Sequence, residues 1–146
     1  GIHVAGIIAA NGKIKGVAPE AQIMSQKVFS NYQGEVPGLS ESILFAINDS
    51  ITKKADVINL SLGSSAGYVD ESNIEQMAVK KAVDNGVIVV AAAGNDAYFG
   101  SDKVRAQNPD VAMIGSPGLS PDAFSVASVN ATTLAGNSLS VQGVSG

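Results

Sequence analysis

The chain has 146 residues, of which 45% are apolar and 15% charged, and this composition suits one globular domain with a core rather than a disordered segment. Nine basic and 13 acidic residues give a net charge of −4, so nucleic acid and anionic membranes are poor partners. With no cysteine and one histidine, the composition excludes disulfides, a thiol nucleophile, cysteine zinc sites and histidine-rich metal sites. The longest apolar run, residues 87–93, is far shorter than the about 20 residues of a membrane span.

The first half of the chain predicts a helix, a strand and a second helix. An apolar stretch begins directly at Gly1 with no initiator methionine, so we expect a piece of a longer chain. The alanine-rich run 3–10 stops at Asn11-Gly12, which favours a helix. Residues 22–29 predict a strand. Pro37 suits a first helical turn, and the apolar residues after it share one face at helical spacing: Leu39, Ile43, Ala46, Ile47 and Ile51.

The second half continues as strand, helix, strand and strand. Residues 56–62 predict a strand, and Ser72 with Glu75 predicts a capping box for a helix that ends at Asn85-Gly86. Residues 87–93 are apolar on both faces, as in the central strand of a parallel sheet, and a last strand falls near 124–129.

This alternation predicts an α/β fold, an open parallel sheet with helices on both faces, built as one domain over residues 1–146. The Gly- and Ser-rich residues 131–146 predict a frayed edge or the start of an insertion.

Candidate functional residues follow two of the predicted strands, because ligands of open α/β sheets bind beyond the carboxyl ends of the strands. Asn95 offers an amide donor for a developing negative oxygen, yet the spacing alone favours an ordinary turn at Gly94-Asn95. His3 is the natural candidate for a general base, although a lone histidine in an apolar stretch is often a structural group. The glycine spacings of dinucleotide and phosphate loops are absent, which disfavours a nucleotide-binding domain.

Four ordered blocks of sequence resemble the subtilisin-like serine proteases. They are Gly1–Ile7, around the histidine, Gly16–Pro19, Asp56–Gly63 and Val89–Asn95. Further details, among them Asn108-Pro109-Asp110 and residues 114–118, look most like the cell-envelope proteinases of Gram-positive bacteria, the lactocepin and C5a-peptidase branch. The resemblance implies a subtilisin-like three-layer αβα fold, incomplete in this chain, and an extracellular or cell-wall-associated endopeptidase.

The resemblance also implies roles for individual residues. His3 would be the general base that activates a serine, and Asn95 the side-chain donor of the oxyanion hole. The polypeptide substrate would lie between two pocket walls and a looser flank near residues 33–36. The implied substrate-binding residues are Ser61, Leu62 and Gly63 on one wall, Ala92, Ala93 and Gly94 on the other, and Gly34 and Glu35 in the flank.

The departures from the family pattern limit what this chain should do alone. Ile2 replaces the usual threonine, a change that we do not expect to inactivate the site. The blocks that carry the catalytic aspartate and serine do not occur, so we expect the isolated chain to be inactive. The loop 11–15 carries no carboxylate, so we expect no metal there and no cofactor in this piece. A calcium site is compatible with other parts of the parent. A non-catalytic binding or adhesion module is the alternative. Surface exposed by truncation predicts self-association.

Overall fold

In the described residues, three parallel strands form one sheet, in which they lie in the same order as along the chain. The computed structural model describes residues 1–31, 38–64, 67–95 and 113–129. The helices are α1 (Ile2–Ala9), α2 (Leu39–Thr52) and α3 (Ile74–Asp84), and the strands are β1 (Val57–Leu60), β2 (Ile88–Ala92) and β3 (Phe124–Val126). The structure confirms the three predicted helices and three of the predicted strands; the strands are shorter than predicted, and α1 is shifted by one residue. Pro37 and residues 131–146 lie outside the described residues.

The core lies on one face of this sheet. Ile58 pairs in register with Val89 and Leu60 with Ala91, and all four side chains are buried. Helices α2 and α3 cover this face through Ile43 and Ile47 from α2 and through the buried residues of α3, Ala78, Val79 and Ala82 among them. The spacing of Ile43 and Ile47 places them on one side of α2, as the sequence predicts. The expected α/β fold with a parallel sheet is therefore confirmed, with β2 as its central strand.

The opposite face of the sheet is apolar and open in the described residues. Val57, Ile88, Phe124 and Val126 share this face by register and alternation, and between 48% and 66% of each is exposed. Helix α1 buries none of its residues. It is held by backbone hydrogen bonds to the segment after it, including one from the N–H of Val17 to the carbonyl of Ile7 at 3.0 Å. Within the described ranges, no helix combines the length and the apolar character that crossing a bilayer requires.

The predicted capping box of α3 is wrong by one residue. Asn73 is the N-cap, and its side chain accepts hydrogen bonds from the N–H groups of Glu75 and Gln76 at 3.1 Å. Ser72 instead donates its hydroxyl to Asp70 at 2.7 Å. Asn and Ser cap helices about equally well, so sequence alone could not choose between neighbouring positions. The carboxylate of Glu75 is thereby left for other contacts.

The predicted strand over residues 22–29 is also wrong, because the structure gives these residues no ladder of hydrogen bonds. They pass beside β1 and are tied to α2 by a hydrogen bond from the Gln26 amide to Asp49, while Val28 packs against the core. A cavity of about 150 Å³ has Met24, Gln26 and Val28 in its lining together with residues of β1 and α2. Strand propensity without a hydrogen-bonded neighbour does not produce a strand.

Candidate active site

The carboxyl ends of β1 and β2 lie side by side. The two strands are parallel neighbours, and Leu60 and Ala91 pair near their ends. The segments after them, Ser61–Gly63 and Ala93–Asn95, therefore leave the sheet at the same edge. The structure thus places the two predicted wall segments, Ser61–Gly63 and residues 92–94, at one edge of the sheet, the edge where open α/β sheets bind ligands.

A third segment, Gly115–Gly118, packs against both strand ends, and we call it the crevice wall. The N–H of Gly115 donates to the carbonyl of Ala93 at 3.1 Å, which ties the wall to the end of β2. The N–H of Ser64 donates to the carbonyl of Ser116 at 2.9 Å, and the N–H of Ser116 donates to Oγ of Ser64 at 3.1 Å. All four residues of the crevice wall are buried. Gly115–Gly118 therefore ties the ends of β1 and β2 together.

Glycines allow this close approach of backbone to backbone. A Cβ atom on Gly115 would overlap the carbonyl oxygen of Ser64, and one on Gly118 would overlap that of Ala92. At Gly63 a Cβ would lie 3.2 Å from the carbonyl oxygen of Ser116, which is tighter than ordinary contact. Sequence reasoning from the residues missed the crevice wall as a part of the site. The glycines on both sides of Ser116-Pro117 were the available signal.

Asn95 lies where an amide donor at a rigid strand end is expected. It is exposed, and it follows Gly94, whose φ of 112° is in the region that favours glycine. Lys54 is the one non-glycine residue with positive φ in the described parts of the chain. Asn95 itself does not have a positive φ. Its interpretation as a turn residue rests on the tolerance of asparagine for left-handed geometry, and that reason does not apply here.

His3 lies in the first turn of α1 and is exposed. Among the described residues, no hydrogen bond of this histidine connects it to the ends of β1 and β2. The described contacts do not test whether His3 and Asn95 face one another, so their shared role stays a prediction.

The remaining predicted substrate residues divide into described and undescribed ones. Ser61 and Gly63 are exposed, and the hydroxyl of Ser61 accepts a hydrogen bond from the amide of Asn59 at 2.9 Å. Leu62 is half-buried and packs against the core, so it connects the edge to the interior. Gly34 and Glu35 lie outside the described residues.

The first turn of α3 holds the loops around the crevice from behind. Gln76 is buried; its amide donates to the carbonyl of Tyr68 at 2.9 Å, and its side-chain oxygen accepts the N–H of Asp70 at 3.2 Å. The carboxylate of Glu75 accepts hydroxyl hydrogen bonds from Ser40 at 2.7 Å and from Ser116 at 3.3 Å. Neither side chain was singled out for the site from sequence. In the described residues, no group of three or more His, Cys, Asp or Glu side chains is arranged to hold a metal ion.

Comparison with known proteins supplies the family context of this crevice. The sequence profile of Peptidase_S8, described as the subtilase family, matches residues 1–144. The PIII-type proteinase of Lactococcus lactis subsp. cremoris is 41% identical over 144 residues, which are 90% of this chain and 7% of that protein. The major intracellular serine protease of Bacillus subtilis is 48% identical over 99 residues, which are 66% of this chain and 29% of that protein.

A solved structure with a similar fold is that of the S41 psychrophilic protease. It superposes with a TM-score of 0.63 at 35% identity, and the match covers 85% of this chain and 37% of that chain. The chain thus spans only a small part of the curated relatives and of the solved structure that it matches.

Proposed function

The chain belongs to the subtilase family, and on that basis we propose that it is the central part of the catalytic domain of a longer serine endopeptidase. The observation that carries the proposal is that the carboxyl ends of β1 and β2 meet Gly115–Gly118 at one edge of the sheet, next to the exposed amide of Asn95. We propose that the substrate crevice lies there. The substrate class is polypeptide. The reaction is hydrolysis of a peptide bond through an acyl-serine intermediate.

Two side chains of this chain take part in the proposed chemistry. Neutral His3 accepts the proton of the attacking serine hydroxyl and later gives it to the leaving amine. The Asn95 amide donates a hydrogen bond to the oxygen of the tetrahedral intermediate, where negative charge develops. The serine and the aspartate that orients the imidazole come from parts of the parent protein that the sequence does not contain. None of these steps calls for a metal or an organic cofactor in this chain.

The substrate backbone lies along Ser61–Gly63, which is exposed at its two outer residues. Ala92, Ala93 and Gly94 form the opposite wall of the primary specificity pocket, and Gly34 and Glu35 flank the substrate. Small residues on this wall leave room for a large substrate side chain. We place the parent outside the cell or on the cell wall. One similar protein is named as intracellular, so fractionation of cells and medium is the test of this location.

Kinetics of the full-length proteinase test the proposal. We expect His3→Ala to lower kcat by about 10⁴-fold or more, because the base acts with the serine as a unit. We expect Asn95→Ala to lower kcat by about 10² to 10³-fold with little change in KM, the loss found when such a donor is removed from subtilisin. Asn11→Ala, which removes another exposed amide, is the matched control and should keep full activity.

Two results would contradict the proposal. Unchanged activity of both site variants would favour the binding or adhesion module, in which neither side chain has a chemical role. Casein hydrolysis by the isolated 146-residue chain, abolished by His3→Ala, would show that the nucleophile is present after all.

A further inference from the structure

Glu75 joins two parts of the molecule that are far apart in sequence. Its Oε1 accepts the hydroxyl of Ser40 at 2.7 Å, across 35 positions, and its Oε2 accepts the hydroxyl of Ser116 at 3.3 Å, across 41 positions. Ser40 lies in the first turn of α2, and Ser116 lies in the crevice wall. One carboxylate therefore holds a helix start and a wall of the crevice at a fixed separation.

The capping of α3 does not explain this carboxylate. Asn73 already satisfies the N–H groups of the first turn, so the side chain of Glu75 is not used as the reciprocal partner of a capping box. Among the described residues, the ion pairs join Lys53 to Asp49 and Lys80 to Asp84, and neither involves Glu75. Its hydrogen-bond partners among the described residues are neutral hydroxyls. The contact with Ser40 is short at 2.7 Å, and the contact with Ser116 is longer and weaker at 3.3 Å, so the carboxylate is held on α2 and reaches from there to the crevice wall.

We propose that Glu75 is a positioning residue that sets the depth of the substrate crevice by holding Ser116 in place; this inference rests on the proposed function. Ser116 meets the strand end through its backbone, which pairs with Ser64, while its hydroxyl points back to Glu75. Loss of the carboxylate frees the wall from behind, and the wall then yields when a substrate side chain enters. Substrate binding weakens, whereas the groups that act on the scissile bond, His3 and Asn95, belong to other segments.

Steady-state kinetics of the full-length proteinase test this inference with peptides whose side chain before the scissile bond varies in size. We expect Glu75→Ala to raise KM about tenfold for large side chains, the loss of roughly one hydrogen bond to a charged group, with kcat within about twofold. Glu75→Gln keeps an acceptor oxygen and should stay within about threefold of the parent KM. Glu71→Ala removes an exposed carboxylate close by in sequence and is the matched control.

Removal of one hydroxyl at a time shows whether the effect passes through Ser116. We expect Ser116→Ala to reproduce most of the rise in KM, and the double variant Glu75→Ala/Ser116→Ala to be no worse than Glu75→Ala alone. Ser116→Ala and Glu75→Gln, the smaller changes, also carry the test if Glu75→Ala does not fold.

Each contrary outcome has a defined meaning. An active parent enzyme whose KM is unchanged in both the Glu75→Ala and the Ser116→Ala variants would overturn the role of Glu75 and leave the proposed function intact. A fall in kcat at constant KM, or an equal effect of Glu71→Ala, would overturn it as well. A parent protein that cleaves no peptide would contradict the proposed function, and this inference with it.

Discussion

At the scale of single residues, the crevice depends on glycines that leave room for neighbouring backbone. Gly115 and Gly118 each approach a carbonyl oxygen of another segment so closely that no Cβ fits. Gly86, which ends α3, is different: its φ is 81°, but the space around a Cβ there is open. Substitution of Gly115 or Gly118 therefore tests steric overlap, whereas substitution of Gly86 tests backbone strain.

We expect Gly115→Ala to lower the free energy of unfolding by about 3 kcal/mol, because Ser64 and the crevice wall must move apart. Gly86→Ala should cost about 1 kcal/mol, the strain of an L-residue in left-handed geometry. Urea unfolding followed by circular dichroism measures both. Equal losses in the two variants would contradict the close packing of the wall.

The cap of α3 gives a second prediction at this scale. Asn73→Ala should lower the free energy of unfolding by about 1 kcal/mol, because two N–H groups lose their acceptor. Ser72→Ala removes only a hydroxyl that binds Asp70 and should cost less. The same urea experiment compares them, and a larger loss for Ser72→Ala would restore the capping box that the sequence suggests.

At the scale of secondary structure, local sequence patterns predict which helices and strands form better than they predict which of them lie side by side. Helical spacing finds α2, and two-sided apolar character finds β2, since both patterns are contained in a short stretch of sequence. Residues 22–29 carry a strand pattern, but a strand needs a hydrogen-bonded partner, and the structure places a cavity beside them. The same limit applies to the site. Because Ser61–Gly63 and Asn95 each follow a predicted strand, the sequence predicts that they lie at the same edge of the sheet. The crevice wall does not follow such a strand, and it reaches that edge only through tertiary packing.

The contact of residues 22–29 with α2 should affect the titration of Asp49. Hydrogen bonds from Lys53 and, to a lesser degree, from Gln26 hold the pKa of Asp49 below its usual value of 3.8. Because the folded-state pKa is lowered, the stabilisation is present above pH 3.8 and is lost as the pH falls through the folded-state pKa. Acid should therefore loosen this contact.

We expect carboxyl resonances in an NMR titration to place the pKa of Asp49 below 3.8. Lys53→Met should raise this pKa more than Gln26→Leu does, in the order of the two causes. An Asp49 pKa that does not respond to Gln26→Leu would show that residues 22–29 are not tied to α2 in solution.

At the scale of the whole molecule, the open face of the sheet is the most conspicuous apolar surface in the described residues. Val57, Ile88, Phe124 and Val126 share this face, and Phe124 is 66% exposed. Large contiguous apolar surface on an isolated chain favours association. The self-association expected from the sequence therefore acquires a specific surface.

Sedimentation velocity over a wide concentration range tests this prediction. We expect the chain to self-associate, and Phe124→Ser to weaken the association about tenfold or more, since burying a phenylalanine contributes about 1.5–3 kcal/mol. Phe45→Ser is the control: Phe45 is 69% exposed but lies on α2, which packs on the other face of the sheet. A monomer at every concentration, or equal effects of the two variants, would contradict the assignment.

The crevice wall has an evolutionary consequence. Substitution of Gly115 or Gly118 disturbs the backbone of a neighbouring segment, so related lineages should keep both positions small. Ser116, between them, meets Glu75 through its side chain, so a substitution there should move the crevice wall while both glycines stay the same. Changes in substrate preference among related proteins would then arise at this one position, while the surrounding backbone stays the same.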